Sequence, residues 1–375
     1  MMVRVLFSES RYEIRHMAVI PGYPTDAQQE QRVPIGPLRE WVIEILVKKA
    51  MLQVEAEIGA DRLIEADLRG IPSHGTRALP RYCGDMDHGR IDPRAAILTE
   101  RETPAMAVLN GGKGLGHVAA TRGMELAIAK AREVGVGTVG IRNSQHFGAA
   151  AVYAMMAARE GMIGYATTST GPATVAAYGS RRPAVANNAL AWAAPTRDGK
   201  PIVLDMACAV SSWGKVQSLG MYGQPIPADW AVDADGEPTT SADDAKTLLP
   251  AAGPRGYGLA FFSSVLCGPL VGARMPLHKT GEPAEEGSEH FLYAIDIAAF
   301  TDPDTFYNEV DATIAEIRQL DPAEGFSRVC LPGDLESERT QLWQDEGLPM
   351  HQDQVESLEA LASETGIPAP WSADG

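Results

Sequence analysis

The sequence predicts an α/β (α+β) protein with more than one core, and three observations carry that expectation. Strand-like and helical patterns alternate from Met106 to about residue 297. Helical patterns flank that stretch on both sides. At 375 residues the chain exceeds the length at which a single hydrophobic core usually divides.

The elements follow in order. Residues 1–35 read as an irregular N-terminal extension, because Pro21, Pro24 and Pro34 bracket the polar run Gln28-Gln29-Glu30-Gln31. After Pro37, the positions Leu38, Trp41, Val42, Ile45 and Leu46 fall at helical spacing. Ala60, Leu63, Ile64 and Leu68 form one face of a second helix. Gly70-Ile71-Pro72 stops it, which places His74 on a loop just past a helix end. Residues 106–109 read as a strand and 110–114 as a turn. A small-residue helix then packs through Ala120, Met124, Ala127, Ile128 and Ala131. Residues 136–141 are strand-like and deliver Asn143 and His146 from their end. A helix at 148–160 and a strand at 162–167 come next, with further strands at 189–194, 201–206 and 290–297. Residues 256–273 carry no charge and read as a buried helix that breaks near Pro269, not as a membrane span. Asp302-Pro303 is a helix start, Asp as cap and Pro in the first turn, with Phe306, Val310, Ile314 and Ile317 on one face. The tail from 336 onward reads as helical and acidic.

The formal net charge of -17 argues against nucleic acid and anionic membranes as partners. Cys83, Cys208, Cys267 and Cys330 lie far apart with no CxxC pair, so a disulfide framework is not expected and a reducing cytoplasm is. Arg4, Glu9, Arg11, Glu13 and Arg15 interrupt the N-terminus, which shows no apolar signal-peptide region.

Two polar cassettes carry most of the chemical information. They are Ile71-Pro72-Ser73-His74-Gly75-Thr76-Arg77 and Asn143-Ser144-Gln145-His146-Phe147-Gly148. Each sets an imidazole beside hydroxyls, a glycine and a cation or amide, as proton transfer to a small polar substrate requires. The Arg77 guanidinium suits a carboxylate. Residues 135–140 spell GxGxxG, but a helix precedes and a strand follows. That order is the reverse of the dinucleotide fingerprint, so the motif is read as a helix-to-strand turn. Arg255 sits in a glycine-rich approach to an apolar helix and suits an anion such as a phosphate. No HExxH spacing and no GxSxG elbow occur, so neither a metal site nor a serine hydrolase is expected.

In combination these pieces resemble the malate/L-lactate dehydrogenase family of the non-Rossmann type, from about residue 37 to 335. The resemblance rests on residues 66–75, on 143–148, on Pro201-Ile202-Val203-Leu204-Asp205-Met206-Ala207, on Gly256-Tyr257-Gly258-Leu259 and on the strand around His290. It implies a non-Rossmann NAD(P)-binding domain with a mixed sheet, and a helical domain formed by N- and C-terminal segments. The expected division is 1–35 extension, 36–119 helical substrate domain, 120–300 cofactor domain and 301–375 helices returning to the first domain. The resemblance further implies hydride exchange between NAD or NADP and a small 2-oxo or 2-hydroxy acid, or a cyclic imino acid. By the same resemblance His74 is the acid/base, with His146 the second candidate for that role. Ser73 orients His74, Asp205 supports its charged form, and Arg77 holds the substrate carboxylate. Thr168, Ser169, Thr170, Asp205, Met206, Ala207, Pro254, Arg255, Gly333 and Asp334 would line the cofactor. A cytoplasmic homodimer is implied.

The chain departs from the family pattern at Ala186-Asn187-Asn188-Ala189, at Arg255, at Thr168-Ser169-Thr170 and at Asn110-Gly111. These positions bear on cofactor preference more than on reaction class. Two other readings compete: a metal-assisted hydrolase or lyase on His74, His146 and Asp205, and a nucleotide-binding protein that has lost catalysis.

Overall fold

The computed structural model describes residues 23–169, 171–281 and 286–371. Its centre is a seven-stranded mixed sheet. The spatial order is Leu98–Glu102, Met106–Asn110, Val136–Ser144, Ser288–Asp296, Met162–Ser169, Leu190–Ala194 and Ile202–Met206. Only the Met106–Asn110 and Val136–Ser144 pair is parallel. The helix Gly116–Val134 makes that crossover, as a parallel connection demands.

The GxGxxG stretch serves this crossover. Gly135 adopts φ 87° and ends the helix in the left-handed conformation that glycine tolerates. A Cβ on Gly137 would overlap the Ala127 carbonyl and approach Lys130 Cβ to 2.9 Å, so glycine is what lets strand and helix touch. The stretch is a helix stop and packing surface, as expected.

Helix Ala151–Arg159 packs against the same sheet, and Ala127, Ile141, Phe147, Val152, Ala154 and Leu292 share its core. A second core joins the two ends of the chain. Leu38, Trp41 and Leu46 of helix Ile35–Lys48 and Leu63 of helix Gln53–Leu68 meet Leu348, Met350, Leu358 and Leu361. Trp41 and Trp371 close it edge-on, with ring centroids 5.5 Å apart. A third core lies around Val175, Leu219, Trp230 and Leu248, beside a small four-stranded sheet that periodicity did not reveal because each strand spans two or three residues.

Four sequence expectations need correction. Part of the first 35 residues is regular: Glu30–Val33 is a strand, antiparallel to Leu348–His351. That same partner strand interrupts the helical tail, between helices Asp334–Glu346 and Gln352–Thr365. The charge-free segment does form helix Pro254–Cys267 and breaks at Pro269, but it is not buried all round. Phe262 is 70% exposed and Leu270 58%. Helix Pro303–Arg318 starts with Asp302 accepting from the Thr305 N–H, as the Asp-Pro pair predicted. However, it stays beside the sheet, where Arg197 binds Asp304 and Asn308, rather than returning to the first helices.

Candidate active site

One end of the central sheet collects the polar strand termini. The register sets Thr168 opposite His290, Leu190 opposite both Thr167 and Met206, and Ser288 opposite Ser144. The second cassette leaves the Val136–Ser144 strand at this end. Asn143 takes φ 52°, a conformation Asn tolerates better than most residues, and the chain turns toward His146.

The first cassette is held against it by a buried staple. Asp67, near the end of helix Gln53–Leu68, accepts from Thr76 N at 2.8 Å and Thr76 Oγ1 at 2.6 Å. These bonds fix the short turns Pro72–His74 and Thr76–Ala78. Burial raises the Asp67 carboxyl to about 7 despite both bonds.

The two imidazoles meet: their ring centroids are 5.4 Å apart, tilted by 34°. His74 Nδ1 lies 2.8 Å from Ser73 Oγ, and Ser73 Oγ lies 2.7 Å from the Tyr23 hydroxyl. His146 Nδ1 lies 2.6 Å from the Tyr82 hydroxyl and accepts from the Gly148 N–H at 3.3 Å. A backbone N–H can only donate, so the network assigns the His146 proton to Nε2. Burial, then the Arg81 and Arg77 guanidinium groups, lower His74 to about 4. Burial and Arg81 hold His146 well below its ordinary value. Both rings are therefore neutral at pH 7.

Other predicted residues take different places. Arg77 is part-buried and donates to Ser218 Oγ at 2.7 Å and to the Gly214 carbonyl at 2.9 Å. It ties helix Trp213–Met221 to the His74 turn. Among the described residues no hydrogen bond joins Asp205 to His74. Asp205 accepts from the Ala151 N–H at a helix start, and burial raises it to about 6 against the pull of Arg69. Thr168 is buried, and its hydroxyl is engaged by the Glu289 carbonyl and by His290 Nδ1 at 2.9 Å. Thr170 lies outside the described residues. Met206 and Ala207 leave the sheet at the polar end, and Pro254 and Arg255 are exposed at the start of their helix. Gly333 and Asp334 sit along the outer sheet edge. There Pro332 accepts from the Val203 N–H, and Asp334 holds the Leu331 N–H and Arg318.

The polar end fits a polar ligand. Ser169 Oγ, Asn188 Oδ1 and Ser211 Oγ are buried without a protein partner, and such groups normally find one. Arg255 adds an exposed cation at the N-terminus of a long helix, suited to a phosphate. Among the described residues no group of three or more His, Cys, Asp or Glu is placed to hold a metal. Likewise none of the described helices is long and apolar enough to cross a membrane.

Sequence reasoning missed Asp67, Tyr82, Tyr23 and Arg81. Tyr82 and Arg81 had a signal, since they stand one helical start beyond the first cassette; Tyr23 had none.

Comparison with known proteins identifies the family. The malate/L-lactate dehydrogenase family model matches residues 33–359. A malate dehydrogenase from Pyrococcus abyssi is 36% identical over 90% of this chain and 95% of its own length. An L-sulfolactate dehydrogenase from Methanothermobacter thermautotrophicus is 38% identical over 86% of this chain and 94% of its own. The structure of malate dehydrogenase from Pyrococcus horikoshii superposes with a TM-score of 0.84 at 33% identity, covering 93% of this chain and 99% of that one. Relatives named for NAD(+) and for NADP(+) both occur. The chain belongs to the malate/L-lactate dehydrogenase family.

Proposed function

We propose that this chain exchanges a hydride between NAD or NADP and a small 2-oxo or 2-hydroxy acid of malate or lactate type, bound between His74 and His146. The observation that carries the division of labour is the assigned tautomer of His146. With its proton on Nε2 and two donors on Nδ1, that ring has no free lone pair for a substrate proton. It is a hydrogen-bond donor to the reacting oxygen. His74 is then the acid/base. Its Nδ1 is taken by Ser73, which leaves Nε2 to accept the hydroxyl proton in oxidation and return it in reduction. When bound, the nicotinamide takes or supplies the hydride at the substrate's 2-carbon. Ser73 and Tyr23 orient His74, and the His146 N–H stabilises negative charge on the oxygen.

For the cofactor, Ser169, Asn188 and Ser211 offer unpaired polar atoms, Met206 and Ala207 border them, and Arg255 with Pro254 offers the phosphate end. Thr168, Gly333 and Asp334 support this region from behind and from the sheet edge. Asp205 anchors a helix start. The shared core of both chain ends supports a helical unit of residues 36–119 with the C-terminal segment, set against a cofactor unit of 120–300. A homodimer is supported by the apolar face of Phe261, Phe262 and Leu270, exposed by 42%, 70% and 58%. Unpaired cysteines support a reducing, cytoplasmic setting.

The test is a pair of variants followed at the nicotinamide absorbance band with a panel of 2-oxo acids. His74→Ala is expected to cut turnover by roughly 10²–10⁴ with cofactor binding retained. His146→Asn should lower turnover but keep the titration of His74 in the pH profile. Near-normal turnover of His74→Ala removes that residue from the role.

A further inference from the structure

Arg81 is a cation near the two histidines that forms no ion pair among the described residues. It stands in helix Leu79–Asp87 with its side chain exposed, and its guanidinium carbon lies 4.7 Å from the Tyr82 ring centroid. The Tyr82 ring stacks on His146 at 6.0 Å and 28°, and His146 faces His74. The guanidinium is thus one aromatic ring removed from His146, near enough to act on both imidazoles electrostatically. Among the described residues no carboxylate forms an ion pair with it, whereas Arg62, Arg122 and Arg142 each have one. Arg77 is the rival cation, but it spends its guanidinium on Ser218, Gly214 and Met221.

We infer that Arg81, rather than Arg77, takes the substrate's carboxylate, and so sets the 2-carbon between His74 and His146. The inference rests on reading those histidines as the reaction site. A planar guanidinium matches a carboxylate bidentately, and the Tyr82 face beneath it limits its swing without using its N–H donors on an anion. Its exposure gives an acid an entry route from solvent. Binding also has a chemical consequence. After burial, Arg81 is the charge that most holds down His74. A bound carboxylate offsets that cation, so the acid substrate itself restores basicity to its own acid/base group.

The experiment uses the full chain with Arg81→Gln and Arg81→Lys. Oxalate binding to the protein saturated with NADH or NADPH is measured by calorimetry, beside steady-state oxidation of malate, lactate and sulfolactate. Arg81→Gln is expected to weaken oxalate by about 100-fold, to leave NADH and NADPH affinity unchanged and to raise the acid's KM more than it lowers kcat. Arg81→Lys should recover part of the loss, and thermal unfolding should be unchanged in both. Unaltered oxalate affinity in Arg81→Gln overturns the inference, as does a wild type that binds no oxalate. Oxalate binding that depends on Arg81 in a chain that turns over no acid sinks the hydride-transfer reading and leaves Arg81 standing. Normal turnover and KM in Arg81→Gln does the reverse.

Discussion

Gly75→Ala isolates the staple beneath His74. The Gly75 backbone has φ -97°, so alanine meets no left-handed strain and the effect is steric. A Cβ there would run into the Asp67 carboxyl, whose farther oxygen would lie only 2.8 Å away. That carboxyl is buried and accepts both Thr76 donors. It can swing aside, which strands two buried donors at roughly 1–3 kcal/mol each. Alternatively the turn moves, and a displacement of about 1 Å at His74 costs on the order of 10² in rate. The variant should therefore lose about 3 kcal/mol in urea unfolding, or about 100-fold in turnover, with nicotinamide cofactor affinity intact. The two effects trade against each other, so both are measured on one preparation. In an Asp67→Ala background the obstacle is gone, and Gly75→Ala should cost far less. Equal costs in the two backgrounds would refute the steric argument, and so would a Gly75→Ala protein with normal stability and rate.

Tyr82→Phe removes one donor from His146 Nδ1 and keeps the packing. Turnover should fall about tenfold with stability lowered by only about 1 kcal/mol, and an unchanged rate would deny Tyr82 its role. Acid should act late on this fold. Burial lowers His74 to about 4 and His117 and His290 to about 3, and holds His146 well down, so the stability they confer is present above pH 6.5 and drains as pH falls. Burial raises Asp67 and Glu289 to about 7 and Asp205 to about 6, which works the other way and is lost as pH rises through those values. Four imidazoles outnumber three carboxyls by one, so urea midpoints should decline gently from pH 6.5 to 4.5 and steeply below pH 4. A sharp loss centred near pH 6.5 would contradict this balance. Phe262→Glu should shift the chain toward monomer in analytical ultracentrifugation, and a wild type that is already monomeric at micromolar concentration ends the dimer proposal.

The elements were legible wherever periodicity was strong. Leu38 to Leu46, Ala120 to Ala131 and the strand behind His146 all form where their spacing placed them. The short strands escaped because two or three residues carry no period. The exposure of Phe262 escaped because a run of apolar residues on a helix looks the same whether the chain itself or something else covers it. In the site, the cassettes named two imidazoles that the fold brings together. What they did not reveal was partnership. Asp67 looked like one more acid in an amphipathic helix until the turn brought Thr76 back to it. Nothing around Arg77 in the sequence pointed to its bond with Gly214 of helix Trp213–Met221. Such pairings depend on contacts across 9 and 141 residues, which local pattern does not encode.

The pairing of Glu30–Val33 with Leu348–His351 sets a practical boundary for anyone trimming this protein. A shortened version beginning at Pro34 would retain every described helix and the whole large sheet. It would nevertheless strip the partner from a strand near the far terminus and delete the tyrosine that reaches Ser73. Such a product would express and look folded by circular dichroism, yet work poorly. A purification tag placed ahead of residue 23 is safer than a clean start after it.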